Sequence, residues 1–237
     1  MTSFKIFKNK SIFVIPFRKN SKRLVGKNKK IFKGLKLYQW SINYALKSGL
    51  NIPIIVSSDD HKELDKIRNK NIILHYRKSK LAKDRSSTFN LLKAIFDDFK
   101  HQFDIEQIIL LQPTSPLREK NLVRKAFIEI SSFKNWTSLI EIEKIPSFQG
   151  EVIKDQWIPL QEESTRSQDI KSKYTPTGRL FIYNVNKTLK LNDPIGKFPI
   201  PLYFKGILNS NIDTKKDFQL AEINFETHKS KYNYLIK

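Results

Sequence analysis

Segments of strand length and of helix length alternate four times along the first half of this sequence, and that alternation constrains the fold more than any other feature. Ser11–Phe17 (SIFVIPF) reads as a buried strand, and Leu37–Ser48 as an amphipathic helix closed by Gly49. Ile52–Ser57 is a second strand, followed by a helix near His61–Asn69 and the strand Ile72–Tyr76. A helix near Ser87–Phe99 sets Leu91, Leu92, Ile95 and Phe96 on one face. The strand Ile108–Gln112 and the helix Asn121–Ser131 complete the series before a further strand, Ser138–Glu143. Such a rhythm builds βαβ units on a largely parallel sheet, an α/β fold.

The rhythm breaks between Ile145 and about Arg179, a polar, turn-rich stretch dotted with aromatics that reads as an excursion from the core. Strand-like segments return at Leu180–Asn184 and Pro201–Phe204, and a final helix is expected from about Lys215 through Ala221. The core therefore closes only with its C-terminal third. We expect one domain over residues 1–237, with 145–179 inserted into it.

Composition narrows the function. The 237 residues contain no Cys, which excludes a disulfide scaffold, Cys-ligated zinc and a cysteine nucleophile. No apolar stretch has the roughly 18 residues a membrane span needs, and the first apolar run is short for a signal peptide, so a cytoplasmic protein is expected. The formal charge of +21 invites a polyanion reading, but the excess is scattered and consists of 35 Lys against 9 Arg. It accompanies 30 Ile and 17 Asn against 5 Ala, as A/T-rich codons would produce, so nucleic acid is not the expected partner.

In doubly wound sheets ligands bind outside the carboxyl ends of the strands, so the loops there matter most. The first strand runs into a loop, residues 17–28, with five cations: Arg18, Lys19, Lys22, Arg23 and Lys27. It is either a phosphate cradle or a solvated basic loop; its spacing matches neither a Walker A loop nor GxGxxG. The fourth strand runs into Gln112-Pro113-Thr114-Ser115-Pro116-Leu117-Arg118, where two Pro stiffen the backbone. Asp59 and Asp60 after the second strand, and Asp213 before the last helix, are either oxygen ligands for Mg²⁺ or helix caps, Thr214 serving the last helix equally well. The four His show no ligand spacing.

Together these loops resemble the cytidylyltransferases that activate nonulosonic acids, the CMP-sialic acid synthetases and their legionaminic, pseudaminic and Kdo relatives. The strongest element is residues 110–118, LLQPTSPLR, which looks like the sialate-type signature. Further matches are Ile15 to Asn28, Val56 to Asp60, Leu81 to Asp84, Arg166 to Asp169 before Tyr174, and Ile212 to Thr214 with Asp217. The resemblance implies a three-layer αβα, Rossmann-like nucleotidyltransferase fold with a mainly parallel mixed sheet. It implies transfer of CMP from CTP to the anomeric hydroxyl of a nonulosonic (sialic-type) acid with release of pyrophosphate.

Carried over residue by residue, the resemblance assigns Arg18, Ser21 and Lys27 to the triphosphate, Asn28 to the ribose, and Lys22 to the nucleotide. It assigns Arg77, Ser86 and Thr88 to cytosine, and Gln112, Thr114, Ser115, Arg118, Arg166, Gln168 and Thr177 to the sugar. Asp213 with Asn211 would hold Mg²⁺, and Arg18, Lys27 and Asp213 would act on the reacting phosphates. Relatives of this kind are commonly homodimers built on the excursion, for which Phe148, Trp157 and Ile158 are suitable anchors; otherwise these residues cover their own core.

The sequence departs from the family pattern in three places. Lys19-Asn20 and Arg23 stand where glycines are usual, Thr177-Gly178-Arg179 replaces Asn-Gly followed by a small residue, and Asn211-Ile212-Asp213 replaces Asp-x-Asp. An amide oxygen ligates Mg²⁺ without contributing charge, so weaker metal binding is expected. The alternative function is a catalytically impaired homologue that still binds nucleotide or sugar.

Overall fold

The computed structural model describes residues 10–21, 23–78, 81, 87–146, 149–160, 171–206 and 209–236. In chain order they form β1 (Ser11–Phe17), a 3-10 turn (Lys27–Lys29), the short pair β2 (Ile31–Phe32) and β3 (Leu35–Lys36), and α1 (Leu37–Lys47). There follow β4 (Ile54–Ser58), α2 (His61–Leu64), β5 (Ile72–Tyr76), α3 (Thr88–Phe99), β6 (Gln107–Leu110) and α4 (Leu122–Ser131). The second half holds β7 (Ser138–Ile145), the hairpin β8 (Gly150–Ile153) and β9 (Gln156–Pro159), β10 (Lys173–Asn184), β11 (Ile200–Tyr203), α5 (Lys215–Thr227), α6 (Lys229–Tyr232) and a closing 3-10 turn.

Seven strands make one mixed sheet in the order β11-β7-β10-β6-β1-β4-β5. Its ladders are parallel except where β10 runs antiparallel to both β6 and β7. Strand β1 shows why the sheet is sandwiched. Its two-residue period sends Phe13, Ile15 and Phe17 to one face, among α1, α4 and α5, and Ile12 and Val14 to the other, against Leu91, Leu92 and Ile95 of α3. Both faces are buried, so the strand reads as an unbroken apolar run. The result is the expected three-layer αβα arrangement, with no helix among the described residues long and apolar enough to cross a membrane.

Local sequence sets the element ends. Gly49, at φ 67°, follows α1 in the left-handed region where a side chain is costly. Asp60 caps α2 by accepting from the Glu63 N–H at 3.3 Å, and that helix stops at Leu64, short of the expected Asn69, because the next turns close on i→i+3 bonds. Ser87 caps α3 and Thr214 caps α5, which runs to Thr227, past the expected Ala221.

The stretch 145–179 is less of a break than its composition suggests. Lys173 to Pro176 continue β10 in register with β7, from Lys173 opposite Ile145 to Pro176 opposite Ile142, and a shift before Phe181 marks where the strand bends. Beyond this extension lies the exposed β8–β9 hairpin, with Val152 opposite Trp157.

Candidate active site

Strand β1 pairs with β4 on one side and β6 on the other, so the chain reverses its winding between β1 and β6. At the carboxyl ends of these strands lies an open cavity of about 560 Å³. Among the described residues, its lining brings together Arg18, Ser21, Lys27, Asn28, Arg77, Thr88, Gln112, Thr114, Asn211 and Asp213 of the expected set. Arg23, one of the five cations of the basic loop, and Asn20, noted only where a glycine is usual, line it too. Lys22, Ser86, Arg166 and Gln168 lie outside the described residues, as do most of Leu81–Asp84 and the anchor Phe148.

The basic loop is pinned rather than loose. The Asn28 side-chain amide donates to the Arg18 carbonyl at 3.1 Å, and the Lys19 N–H donates to Asp59 at 2.9 Å. Lys27 is 8% exposed and donates to Asp213 Oδ1 at 2.7 Å, where Arg23 also arrives at 3.0 Å. Asp213 is free for this because Thr214, not Asp213, caps α5. Burial alone would raise the Asp217 carboxyl, but the N–H groups of Asp213 and Thr214 donate to it and hold it below its usual value.

Asp59 and Asp60 do not line the cavity. The first holds the Lys19 amide, and the second caps α2 and pairs with Lys29 at 2.8 Å. Both serve loop structure, so of the two candidate metal positions only the Asn211–Asp213 pair faces the cavity.

Arg77 continues β5 into the cavity wall at 3% exposure, its Nη2 donating to the Ser57 carbonyl at 3.1 Å. Burial lowers its pKa to about 10, which still leaves it cationic at neutral pH. Four cations, Arg18, Arg23, Lys27 and Arg77, thus face one carboxylate across the described lining, a field suited to a polyphosphate.

Ser115, Arg118 and Thr177, which the resemblance places beside the sugar, are fully buried behind the cavity wall. Ser115 donates to the Thr177 carbonyl at 3.1 Å, and the Thr177 hydroxyl donates to Glu141 at 2.6 Å. Arg118 spends its guanidinium on the Arg179 carbonyl at 2.7 Å, the Gln112 carbonyl at 2.8 Å and the Ser41 hydroxyl at 3.0 Å. The loop that holds the two Pro thus turns Ser115 and Arg118 inward. The Ile212 N–H donates to the Thr114 carbonyl at 2.7 Å and joins this loop to the Asn211–Asp213 segment.

The donor set meets the minimum for Mg²⁺, one carboxylate and one amide oxygen on the same wall, a mode in which the ion takes its remaining oxygens from phosphate and water. Among the described residues no cluster of three His, Cys, Asp or Glu side chains gathers to hold an ion on its own.

Comparison with known proteins agrees with this geometry. A family model described as "Cytidylyltransferase" matches residues 12–189. An N-acylneuraminate cytidylyltransferase of Streptococcus agalactiae serotype V is 28% identical over 88% of this chain and 52% of its own, so the chain spans about half the length of that relative. The CMP-N,N'-diacetyllegionaminic acid synthase of Legionella pneumophila is 29% identical over 88% of this chain and 93% of its own. Among solved structures, a CMP:2-keto-3-deoxy-manno-octonic acid synthetase complexed with CTP superposes with a TM-score of 0.62 at 16% identity, over 92% of this chain and 99% of that one. With the wound sheet, the cationic crevice at its switch point and a family match running from β1 past β10, the chain belongs to the cytidylyltransferase family.

Proposed function

We propose that this protein transfers CMP from CTP to the anomeric hydroxyl of a nonulosonic (sialic-type) acid. The acceptor oxygen forms a bond to the α-phosphorus, the bond from that phosphorus to the bridging oxygen breaks, pyrophosphate departs and the hydroxyl proton is released. The observation that carries this reading is the convergence of Arg18, Arg23, Lys27 and Arg77 with Asp213 and Gln112 on one cavity at the switch point. The relatives' names supply the substrate class.

In this reading the chain's own work is positioning and charge neutralisation. Arg18 and Lys27 meet the triphosphate, the Ser21 hydroxyl adds a hydrogen bond, and Arg77, fixed to the Ser57 carbonyl, borders the base with Thr88. Gln112 and Thr114 face the acceptor. Asp213 and Asn211 would hold Mg²⁺, which when bound screens the phosphate oxygens. Lys27 and Arg23, now on Asp213, are drawn toward phosphate when the nucleotide enters.

We read the β8–β9 hairpin as a homodimer face. Val152, Trp157, Ile158 and Leu160 are all exposed on it, so in this chain they do not cover their own core.

Incubation of the purified protein with CTP, Mg²⁺ and a panel of sialic, legionaminic and pseudaminic acids is expected to release pyrophosphate with at least one of them. Silence across the panel defeats the reading.

A further inference from the structure

The residues 177–179 cross behind the cavity wall in a segment whose polar groups are almost all committed. The Thr177 carbonyl accepts from Ser115 at 3.1 Å and from Asn209 at 3.1 Å. The Thr177 hydroxyl donates to Glu141 and accepts from the Arg179 N–H at 3.2 Å. The Arg179 carbonyl accepts from Arg118. Between these fixed points sits Gly178 at φ 77°, and a methyl group there would lie 2.7 Å from Ser115 Oγ, 3.1 Å from Gln112 Oε1 and 3.4 Å from Asn211 Oδ1. The bare backbone of Gly178 is thus the surface against which the carboxamides of Gln112 and Asn211, both lining the cavity, are set.

The groups that hold this crossing are buried and charged. Arg118 is fully buried, and Glu141 and Arg179 are each 2% exposed. Arg179 lies over the Phe204 ring at 4.7 Å, pairs with Glu119, and approaches Glu141 at 3.5 Å. Burying three charged side chains is costly unless they are fully paired, and hydrophobic side chains of similar volume are often no less stable in such places. Such a cluster is easier to account for by what it orients than by stability alone.

We propose that Arg118 and Glu141 are positioning residues. Neither touches substrate; together they clamp the 177–179 crossing and so fix two carboxamides of the cavity wall, that of Gln112 toward the acceptor and that of Asn211 beside Asp213. Arg118 suits the task because one planar guanidinium spans three elements, the β6 loop at Gln112, α1 at Ser41 and β10 at Arg179, which a lysine cannot do with one ammonium point. Glu141 fixes the other end through the Thr177 hydroxyl.

The assignment of Gln112 to the acceptor and of Asn211 to the metal rests on the proposed function, so the test has one arm that needs no turnover. In ¹⁵N-labelled protein the side-chain NH₂ signals of Gln112 and Asn211 are compared between wild type, Arg118→Lys and Glu141→Gln. Both signals are expected to move in both variants. In the second arm, steady-state rates with the acceptor that the wild type uses are expected to show KM for the acceptor rising about tenfold or more and kcat falling, while the Kd for CTP measured without acceptor or Mg²⁺ changes less than about twofold.

If Arg118→Lys does not fold, Ser41→Ala removes a guanidinium partner that lies outside the cavity lining and also donates to the Gln112 carbonyl at 3.4 Å, and it is expected to shift the Gln112 signal. Folded variants whose carboxamide signals stay in place overturn the clamp, as does a loss confined to CTP affinity. A wild type inactive on every acceptor defeats the proposed function but leaves the carboxamide arm to decide the clamp.

Discussion

Lys27 and Asp213, 186 residues apart in the chain, meet at 2.7 Å in the cavity, with the lysine side chain 10% exposed and the carboxylate 27%. The pair closes the gap between the loop after β1 and the segment before α5. It also stores a cation and a carboxylate in the site without ligand. Replacing Lys27 by Met leaves Asp213 to Arg23 and removes one cation from the expected phosphate path. The predicted outcome is a fall in kcat/KM for CTP of about 10² or more, as for loss of one preorganised stabilising group, read by pyrophosphate release. A change within threefold would remove Lys27 from the mechanism.

Gly178→Ala tests how tightly the crossing is built. The new methyl group meets Ser115 Oγ at 2.7 Å in a backbone region that costs a side chain about 1 kcal/mol or more. We expect a loss of about 1–3 kcal/mol in urea unfolding, together with weaker acceptor use because Gln112 must give way. Full wild-type stability would show that the wall relaxes freely.

Acid stability has two separable steps. His75 is hydrogen-bonded through Nδ1 to Ser57 at 2.8 Å and through Nε2 to Asp98 at 3.1 Å. Burial lowers its pKa, with Arg77 and Lys78 adding to that, and the Asp98 pairing only partly offsets it. The unfolded chain therefore takes up this proton first, and the His75 contribution, present above about pH 6.5, is lost as pH falls below it. Glu63 loses by burial but gains more from Lys36, Lys66 and Tyr38, which hold its carboxyl down at about 2 against an ordinary 4.5. Its contribution, on the order of 3 kcal/mol, is present above about pH 4.5 and drains away toward pH 2. Unfolding free energies between pH 8 and pH 3 are expected to fall in both windows, and His75→Gln should flatten the upper one alone.

The hairpin carries a solution prediction. Val152→Asp combined with Trp157→Ser places charge and polarity on paired positions of the exposed β8–β9 face. Light scattering is expected to give a dimer for the wild type and a monomer for the variant with its unfolding midpoint little changed. A wild-type monomer would end this reading of the hairpin.

What the sequence disclosed followed from periodicity and from loops. Ser11–Phe17 and Ile72–Tyr76 match the strands in the structure residue for residue, because apolar runs bounded by turn residues leave little freedom. The β2–β3 pair went unread, since two-residue strands carry no period. Lys173–Arg179 reads as turn-rich because its outer half alternates exposed and half-buried positions beyond the core, although it belongs to β10. At the site, residues named from the strand-end loops, such as Arg18, Lys27, Gln112 and Asp213, do converge. Ser115 and Arg118 come from the same kind of loop yet turn inward, for a loop motif specifies order and not side-chain direction; Thr177, assigned only through the resemblance, lies within β10 and is buried as well. Glu141 was missed altogether: it sits mid-strand, and only its contact with Thr177, 36 residues on, distinguishes it from any other buried carboxylate.

Asn211 makes the sharpest test of how this site handles its metal. Its Oδ1 lies 3.4 Å from the Ser115 hydroxyl, on the same wall as Asp213, and it brings an oxygen without a charge. Asn211→Asp adds one negative charge at nearly constant volume, in a cavity where Lys27 and Arg23 already crowd Asp213, so the new carboxylate has cations close by and costs little to place. The ammonium and guanidinium groups then have two carboxylates to share, and a divalent cation gains a second charged ligand. The Mg²⁺ concentration that supports half-maximal pyrophosphate release is expected to drop about tenfold, corresponding to roughly 1.4 kcal/mol of added binding, while kcat at saturating Mg²⁺ changes much less. A Mg²⁺ titration superimposable on that of the wild type would mean that the ion does not use position 211, and that Asp213 with the phosphate oxygens suffices to hold it.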